Sequence, residues 1–166
     1  MKRFLLPFFL FFLFMLVSCI GFTPIYSEKS AARIAFSEVQ ISPISGREGF
    51  VFTQEVLERG GITSGESGKY QLQVKLTPAR RGFGIQVDNV ATRFQVQMTA
   101  NWSLLDENGK TLTQKTSTGT TSFDSGSNPY ASQVAETDAE NRAISILADT
   151  IIDQLGHYFL SADKNK

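Results

Sequence analysis

The sequence predicts an α+β domain in which a mostly antiparallel four-stranded sheet carries two helices packed on one face, in the order β-α-β-β-β-α. Two segments, residues 69–76 and 92–104, alternate apolar and polar side chains, and this period of two is typical of half-buried antiparallel strands. A third segment, residues 128–160, repeats apolar side chains every three or four positions, which predicts a long amphipathic helix. Because strands and helix each offer one apolar face, these faces are expected to pack together.

The N-terminal 18 residues are predicted to be a cleaved export signal. Met1-Lys2-Arg3 is a short positive region, and the apolar run after it, residues 4–17, contains 14 residues. A helix that crosses a bilayer needs about 20 apolar residues, and Pro7 within the run disfavours such a helix further. The layout is typical of a secretory signal peptide and not of a permanent membrane span.

The string Leu16-Val17-Ser18-Cys19 resembles a bacterial lipobox, in which signal peptidase II cleaves before the cysteine. In that interpretation Leu16, Val17 and Ser18 are the recognition residues, and Cys19 carries a diacylglycerol and an N-acyl chain such as palmitate. Cys19 is the only cysteine of the chain, so it has no disulfide partner and needs another role. Several acyl chains make a stable membrane anchor. An ordinary signal peptide with a cysteine near its end is the alternative.

The chain is therefore predicted to divide into a signal peptide (1–18), a lipidated cysteine with its tether (19–32), a single domain (33–160) and a polar C-terminal tail (161–166). The residue after the cysteine is Ile20 and not Asp, which by lipoprotein sorting rules favours the outer membrane, here its periplasmic face. Cleavage leaves 166 − 18 = 148 residues with 14 basic and 16 acidic side chains, a net charge of −2. This balance excludes the positive field of a nucleic-acid-binding protein.

The first part of the domain is predicted to form a strand over residues 33–42, with a bulge near Ser37 where the apolar phase shifts. The alternative is that only residues 38–42 pair and the earlier part leads into the strand. The first and third strands are expected to be neighbours through a crossover over the first helix.

The first helix is predicted over residues 47–59. Ser45 and Glu48 have the spacing of a capping box, and Gly60-Gly61 is expected to end the helix. Phe52, Val56 and Leu57 lie on one stripe, so this short helix needs a sheet to cover it.

A basic segment with two glycines, Arg80-Arg81-Gly82-Phe83-Gly84, lies between the two alternating strands. It is predicted to be flexible and to expose its aromatic ring. Two interpretations remain open: the segment contacts an anionic group such as a lipid phosphate, or it is a solvated arm of a hairpin.

The next strand, residues 111–123, follows the turn signal Asp106-Glu107-Asn108-Gly109. It is rich in Thr and Ser and carries few large apolar side chains, so it buries little surface. Either it is an edge strand guarded by Lys115, or it presents a polar face to a wet cavity in a partner.

The last helix is predicted to begin with Asn128 as N-cap and Pro129 as its first residue, and to run to about Leu160. Acidic side chains in its N-terminal half, at positions 136, 138 and 140, are expected to interact favourably with the helix dipole. Its apolar stripe consists of Ile144, Leu147, Ala148, Ile151, Leu155, Tyr158 and Phe159.

The residues indicate no catalytic or metal site. His157 is the only histidine, and without a second His or Cys a zinc ion has no ligand set. Asp149 and Asp153 are one helical turn apart and are expected on the solvated face. We therefore expect no enzymatic activity and no cofactor beyond the covalent lipid on Cys19.

Three strings occur in a fixed order along the chain: Gly21-Phe22-Thr23-Pro24-Ile25-Tyr26, Asn89-Val90-Ala91-Thr92-Arg93, and Asp138-Ala139-Glu140-Asn141-Arg142-Ala143 leading into Leu147-Ala148-Asp149. With these strings the chain resembles the LptE family of lipopolysaccharide-assembly lipoproteins over nearly the whole of its predicted mature length. One departure is Ile20, which separates Cys19 from Gly21 where many relatives have Cys directly before Gly-Phe.

The resemblance implies a non-enzymatic protein of the outer membrane that plugs the β-barrel LptD, one copy per barrel. It also implies a role in assembling the barrel and in inserting lipopolysaccharide into the outer leaflet. Two other functions remain as alternatives: a lipoprotein subunit of another envelope lipid-transport system of the ABC type, and an envelope hydrolase. The basic positions expected to meet lipopolysaccharide phosphates are Lys75, Arg80, Arg81, Arg93 and Lys115.

Overall fold

The computed structural model describes residues 31–62, 68–85 and 91–163 of the chain. This part contains three helices and four strands, so the predicted order gains a short helix at its start. In chain order the elements are α1 (Ala31–Phe36), β1 (Val39–Ile41), α2 (Arg47–Gly60), β2 (Tyr70–Ile85), β3 (Ala91–Asp106), β4 (Thr111–Asp124) and α3 (Pro129–Asp163).

The four strands form one mixed sheet in the order β1-β2-β3-β4. β2 pairs antiparallel with β3, and β3 pairs antiparallel with β4, whereas β1 runs parallel to β2, with Val39 opposite Tyr70. The expectation that the first and third strands are neighbours is therefore wrong. Hairpin pairing places β3 between β2 and β4, so both edges of β3 are occupied, and the crossover through α2 brings β1 parallel to β2.

The strand predicted over residues 33–42 is also wrong in its first half, because residues 31–36 form α1 and only Val39–Ile41 pairs. The alternative of a lead-in followed by a short strand is closer to the structure. α1 ends where the Glu38 N–H donates to the Ala35 carbonyl at 3.1 Å. Its last residue, Phe36, is 2% exposed and packs edge-on against Phe159 at 5.9 Å between ring centroids, so tertiary packing favours this helical turn.

The two ends of α2 differ in how well the sequence predicted them. Gly61 adopts the left-handed conformation with φ 62°, and this confirms the predicted glycine stop. The predicted capping box is wrong, because Gly46 is the N-cap and no side chain caps the helix. Ser45 lies one residue too early, and Glu48 occupies the second helical position instead of the third.

One face of the sheet and the inner sides of the helices enclose the apolar core. The alternation predicted for the two long strands is confirmed, and Leu72, Met98 and Leu104 are fully buried. In the stripe predicted for α3, Tyr158 is half-buried and the other members are buried. α3 runs to Asp163, past the predicted end at Leu160. Its N-cap is confirmed, since Asn128 Oδ1 accepts from the Tyr130 N–H at 3.0 Å.

α3 lies close to β4 because Gly119 has no side chain. A Cβ atom at this position would collide with the carbonyl oxygen of Ala143 and would lie 3.0 Å from the Leu147 nitrogen. On the same stretch the Thr121 hydroxyl donates to the Ala139 carbonyl at 2.6 Å. α3 therefore packs along the length of β4, with its axis antiparallel to the strand.

No helix within residues 31–62, 68–85 and 91–163 is long and apolar enough to cross a membrane.

Candidate interaction surfaces

The sheet face turned away from the helices is lined by hydroxyl and amide side chains. Since side chains alternate along a strand, the residues between the buried positions of β2, β3 and β4 all point to this side, which we call the open face. Thr99 and Ser103 are half-buried and the other members are exposed. The open face consists of Gln71, Gln73, Lys75 and Thr77 on β2, Gln95, Gln97, Thr99, Asn101 and Ser103 on β3, and Gln114, Thr116, Thr118, Thr120 and Ser122 on β4.

Two members of the open face form a hydrogen bond across strands. The Thr116 hydroxyl donates to Asn101 Oδ1 at 2.8 Å, and these two residues are direct partners in the ladder. Lys75 stands opposite Asn101 and is the only charged residue among these fourteen; Arg81, Arg93 and Asp124 lie on the same side of the sheet, toward the end of the β2–β3 hairpin. A surface of this kind keeps its hydrogen-bonding groups satisfied against water or a polar partner, whereas an apolar partner would leave them unpaired.

The five basic side chains predicted to contact phosphates do not form one cluster. Arg80 points to the helix side, where its guanidinium lies 4.1 Å from the ring centroid of Phe94 and 5.5 Å from that of Phe123. Its Nη1 atom donates to Glu136 Oε1 at 2.8 Å. Arg80 is therefore engaged within the domain, where it joins β2 to the N-terminal part of α3 across two aromatic rings.

Arg93 forms a two-pronged ion pair with Asp124 on the neighbouring strand. The Nε and Nη2 atoms of Arg93 lie 2.6 and 3.0 Å from the two carboxylate oxygens. The hydrogen bond from Arg93 lowers the pKa of Asp124, and the bond to the carboxylate raises the pKa of Arg93. Both side chains are more than half exposed, so the guanidinium remains accessible to a further anion.

Arg81 lies close to Arg93 on the outer side of the sheet. It stands opposite Gln95, so Arg81 and Arg93 are diagonal neighbours at about 7 to 8 Å. No described acidic side chain pairs with Arg81. Phe83 follows it along β2 and is 47% exposed. We call Arg81, Phe83 and Arg93 the hairpin-end cluster.

The remaining two basic residues lie apart from this cluster. Lys75 is six residues from Arg81 along β2, which corresponds to about 20 Å. Lys115 is at the other end of the sheet, opposite Trp102, and on the helix side. The hairpin-end cluster is thus the one place where the structure brings two of the predicted basic residues together.

The segment from Arg80 to Gly84, which was predicted to be flexible, forms the end of β2 and is one arm of the β2–β3 hairpin. Along β2 the odd-numbered residues Lys75, Thr77 and Arg81 continue to point to the open side. Pro78 and Gly82 interrupt the apolar positions between them, so the alternation is not visible in the sequence. The pairing of β2 with β3 across residues 70–85 keeps the segment extended despite these residues. The interrupted alternation offers no local signal from which the grouping of Arg81 with Arg93 could be predicted.

The ion pairs on the helix side join α2 to α3. Arg47 bonds to Glu140 and, at 3.0 Å, to Asn141. Arg59 contacts Glu55 at 2.6 Å and Asp149 at 2.7 Å, and the bond to Asp149 raises the pKa of Arg59. Acidic residues that were expected to interact with the helix dipole thus act mainly as partners of arginines, since α3 begins well before them.

Nothing in the described part of the chain forms a site for chemistry. His157 is exposed, and Asp149 is paired with Arg59. Across residues 31–62, 68–85 and 91–163 no three His, Cys, Asp or Glu side chains are grouped as metal ligands. Leu16, Val17, Ser18 and Cys19 lie outside the described residues.

The domain is elongated, and its two ends differ. The 16 residues of β2 and the 35 residues of α3 each span about 50 Å. The chain enters through α1 at the end where Phe36 and Tyr70 pack against Phe159. The hairpin-end cluster lies at the opposite end of β2.

Comparison with known proteins gives one family and several similar structures. The chain matches the lipopolysaccharide-assembly family LptE over residues 36–155. A lipoprotein from Caulobacter crescentus CB15 is similar, with 24% identity, a TM-score of 0.68, and coverage of 80% of this chain and 98% of that one. A minor lipoprotein from Acinetobacter baumannii is 16% identical with a TM-score of 0.58, covering 74% of this chain and 92% of that one.

A third similar structure is lipoprotein B from Nitrosomonas europaea, which is 14% identical with a TM-score of 0.57, covering 72% of this chain and 82% of that one. The comparison with curated proteins finds no match.

The fold and its surfaces define a small α+β domain with a polar open face and a basic, aromatic hairpin end. The chain belongs to the LptE family, whose members are non-enzymatic lipopolysaccharide-assembly lipoproteins. The resemblance read from the sequence is thereby confirmed.

Proposed function

We propose that this protein is anchored to the periplasmic face of the outer membrane through Cys19, occupies the lumen of an LptD-like β-barrel, and supports barrel assembly and insertion of lipopolysaccharide into the outer leaflet. The observation that carries the proposal is the open face. The interior of a large outer-membrane barrel is polar and water-filled, and a face of hydroxyl and amide groups is the complement of such a wall. An apolar lipid environment would leave these groups unpaired.

The dimensions of the domain support this arrangement. A bilayer with its headgroups is about 40 to 45 Å thick, and β2 spans about 50 Å. The tether between Cys19 and α1 joins the domain at the end occupied by Phe36 and Phe159. If the anchored end stays near the inner leaflet, the hairpin-end cluster reaches the level of the outer leaflet.

The hairpin-end cluster suits the headgroup of lipopolysaccharide. Arg81 has no described ion-pair partner, and Arg93 keeps half of its surface exposed beside Asp124. Guanidinium groups bind phosphate through paired hydrogen bonds, and the exposed ring of Phe83 suits the boundary between headgroup and acyl chains. We assign the main phosphate contacts to Arg81 and Arg93. Lys75 and Lys115 are assigned as outlying contacts. Arg80 is engaged within the domain and supports the position of β2.

The proposal is tested by purifying the full chain, tagged at its C-terminus and expressed from its native locus, from detergent-solubilised envelopes. An LptD-like barrel, identified by mass spectrometry in about equal amount, is the expected result. The matched control is Cys19→Ala, which removes lipidation and is expected to lower the barrel yield by mislocalising the chain. Recovery of an inner-membrane ABC transporter in place of a barrel would contradict the proposal and favour the alternative transport system.

A further inference from the structure

The outer edge of β4 carries backbone groups that no described strand pairs with. β4 is the last strand in the sheet order, so one of its edges is free. In an antiparallel pair, every second residue of a strand bonds to its neighbour. The Ser125 N–H donates to the Thr92 carbonyl at 2.8 Å, so the odd-numbered residues of β4 are the ones that bond to β3. The register is regular from Thr113 to Asp124. The N–H and C=O groups of the even-numbered residues between them therefore point away from β3.

A single side chain covers one end of this edge. Arg142 of α3 donates to the carbonyl oxygen of Ser122 at 3.3 Å, which agrees with the outward phase of the even-numbered residues. Arg142 is also paired with Asp138 one helical turn earlier. From Gln114 to Thr120 no other described backbone segment bonds to the edge. We call these seven residues the β4 edge.

The β4 edge has one of the usual protections against pairing, the charge of Lys115 near one end, and lacks the others. Isolated proteins guard edge strands with charges, prolines, bulges or short length. β4 is 14 residues long, and between Lys115 and Asp124 it has neither a charged residue nor a proline. Its register shift lies at the other end, opposite Leu104 and Leu105. Such a strand is a ready template for an added strand.

We propose that the β4 edge pairs with an extended segment of the barrel partner, which adds a fifth strand to the sheet. This inference rests on the function proposed above and names the element through which the partner is held. The β4 edge binds the partner segment through hydrogen bonds between the two main chains. The side chains beside the β4 edge determine which amino-acid types the partner segment can carry.

The side chains beside the β4 edge define the chemistry of that segment. On the open side it meets Thr116, Thr118 and Thr120, which favour hydroxyl or amide side chains. On the helix side it meets Ile146, which is 44% exposed and lies one turn after Arg142 on the same side of α3. Lys115 has no described acidic partner, so an acidic residue in the incoming segment is complementary to it.

A second copy of this chain fits the edge less well. Pairing of two seven-residue edges buries far less than the roughly 800 Å² per partner of a stable interface. The β4 strand of a second copy also offers Lys115 no carboxylate on the same face, because Asp124, the acidic residue of β4, lies on the opposite face and pairs with Arg93.

The test uses the full lipidated chain with Thr118→Pro. Thr118 N–H points away from β3, so proline removes an outward donor without breaking the ladder, and prolines are tolerated at such edge positions. Thr118→Ala is the matched control, because it removes the same side chain and keeps the N–H. Barrel recovery from native envelopes is expected to be at least tenfold lower for Thr118→Pro than for Thr118→Ala, which loses the side-chain contact alone.

The possible outcomes separate the two proposals. Barrel recovery that is equal for both variants overturns the strand addition and leaves the barrel partnership standing. Absence of the barrel with the wild-type chain contradicts the proposed function itself. If Thr118→Pro instead converts a dimer of the purified protein into a monomer, a second copy is the occupant and the inference is overturned.

Hydrogen exchange provides a second test, which uses the wild-type protein and does not depend on a variant that folds. In the purified complex the amide protons of Thr116, Thr118 and Thr120 are expected to exchange at least tenfold more slowly than in the free protein. The amides of Ser117 and Gly119 bond to β3 in both states and serve as internal controls. Unchanged exchange at the three even-numbered positions would overturn the proposal.

Discussion

The indole nitrogen of Trp102 donates a hydrogen bond to the hydroxyl of Ser117 at 3.0 Å, inside the core and between two neighbouring strands. The Ser117 hydroxyl in turn donates to Gln154 Oε1 of α3 at 3.0 Å. Trp102 is 1% exposed and Ser117 is 4% exposed, so neither group is well placed to bond to water. This chain of bonds fixes the position of α3 along the sheet in a way that apolar packing alone does not.

Ser117→Ala is expected to lower the free energy of unfolding by about 1 to 3 kcal/mol, because it leaves the Trp102 N–H buried without an acceptor. Urea denaturation followed by tryptophan fluorescence measures the change. Ser122→Ala, an exposed position on the same strand, is the control and is expected to change stability by less than about 0.5 kcal/mol. Equal effects of the two substitutions would contradict a structural role for the bond.

Gly119→Ala is expected to cost about 1 to 3 kcal/mol or more, since the new methyl group collides with the backbone of α3 at Ala143. Thermal unfolding measures the change in stability. Gly126→Ala is the matched control, because no atom lies within 4 Å of a Cβ built at that position. A tolerated Gly119→Ala would show that α3 can move away from β4 at little cost.

The pKa of Asp124 is expected to rise toward its ordinary value in Arg93→Ala, because the hydrogen bond from Arg93 is what lowers it. A carboxyl group whose pKa is lowered by folding adds stability above its unfolded pKa of about 3.9, and this stability is lost as the pH falls through the folded pKa. NMR titration of the Asp124 carboxyl carbon tests the shift directly. Lys75→Ala is the control and should leave the titration unchanged.

Arg81→Glu is expected to weaken binding of purified lipopolysaccharide about tenfold, since a charged hydrogen bond contributes about 1.5 kcal/mol or more. Lys115→Glu makes the same change of charge at the far end of the sheet and is expected to have a smaller effect. Fluorescence titration with native and dephosphorylated lipopolysaccharide distinguishes phosphate recognition from apolar association. If Arg81→Glu binds both forms as wild type does, the hairpin-end cluster is not the phosphate site.

Local periodicity was sufficient to predict most of the regular elements. The buried positions of β3 from Phe94 to Leu104 and the apolar stripe of α3 follow directly from spacings of two and of three or four residues. The stop at Gly61 and the N-cap at Asn128 depend on single side chains and their own backbone, and both were predicted correctly. Family membership likewise follows from short strings in a fixed order along the chain.

The sequence by itself thus determined which residues turn inward, where most elements begin and end, and which family the chain joins. Only the tertiary structure decided that residues 31–36 are helical, that β1 lies beside β2, and that Arg80 and Arg81 point to opposite sides of one strand. The physical reason is distance along the chain: Phe36 is fixed by Phe159, and Arg80 is fixed by Glu136. Contacts between residues so far apart leave no periodic trace in the local sequence.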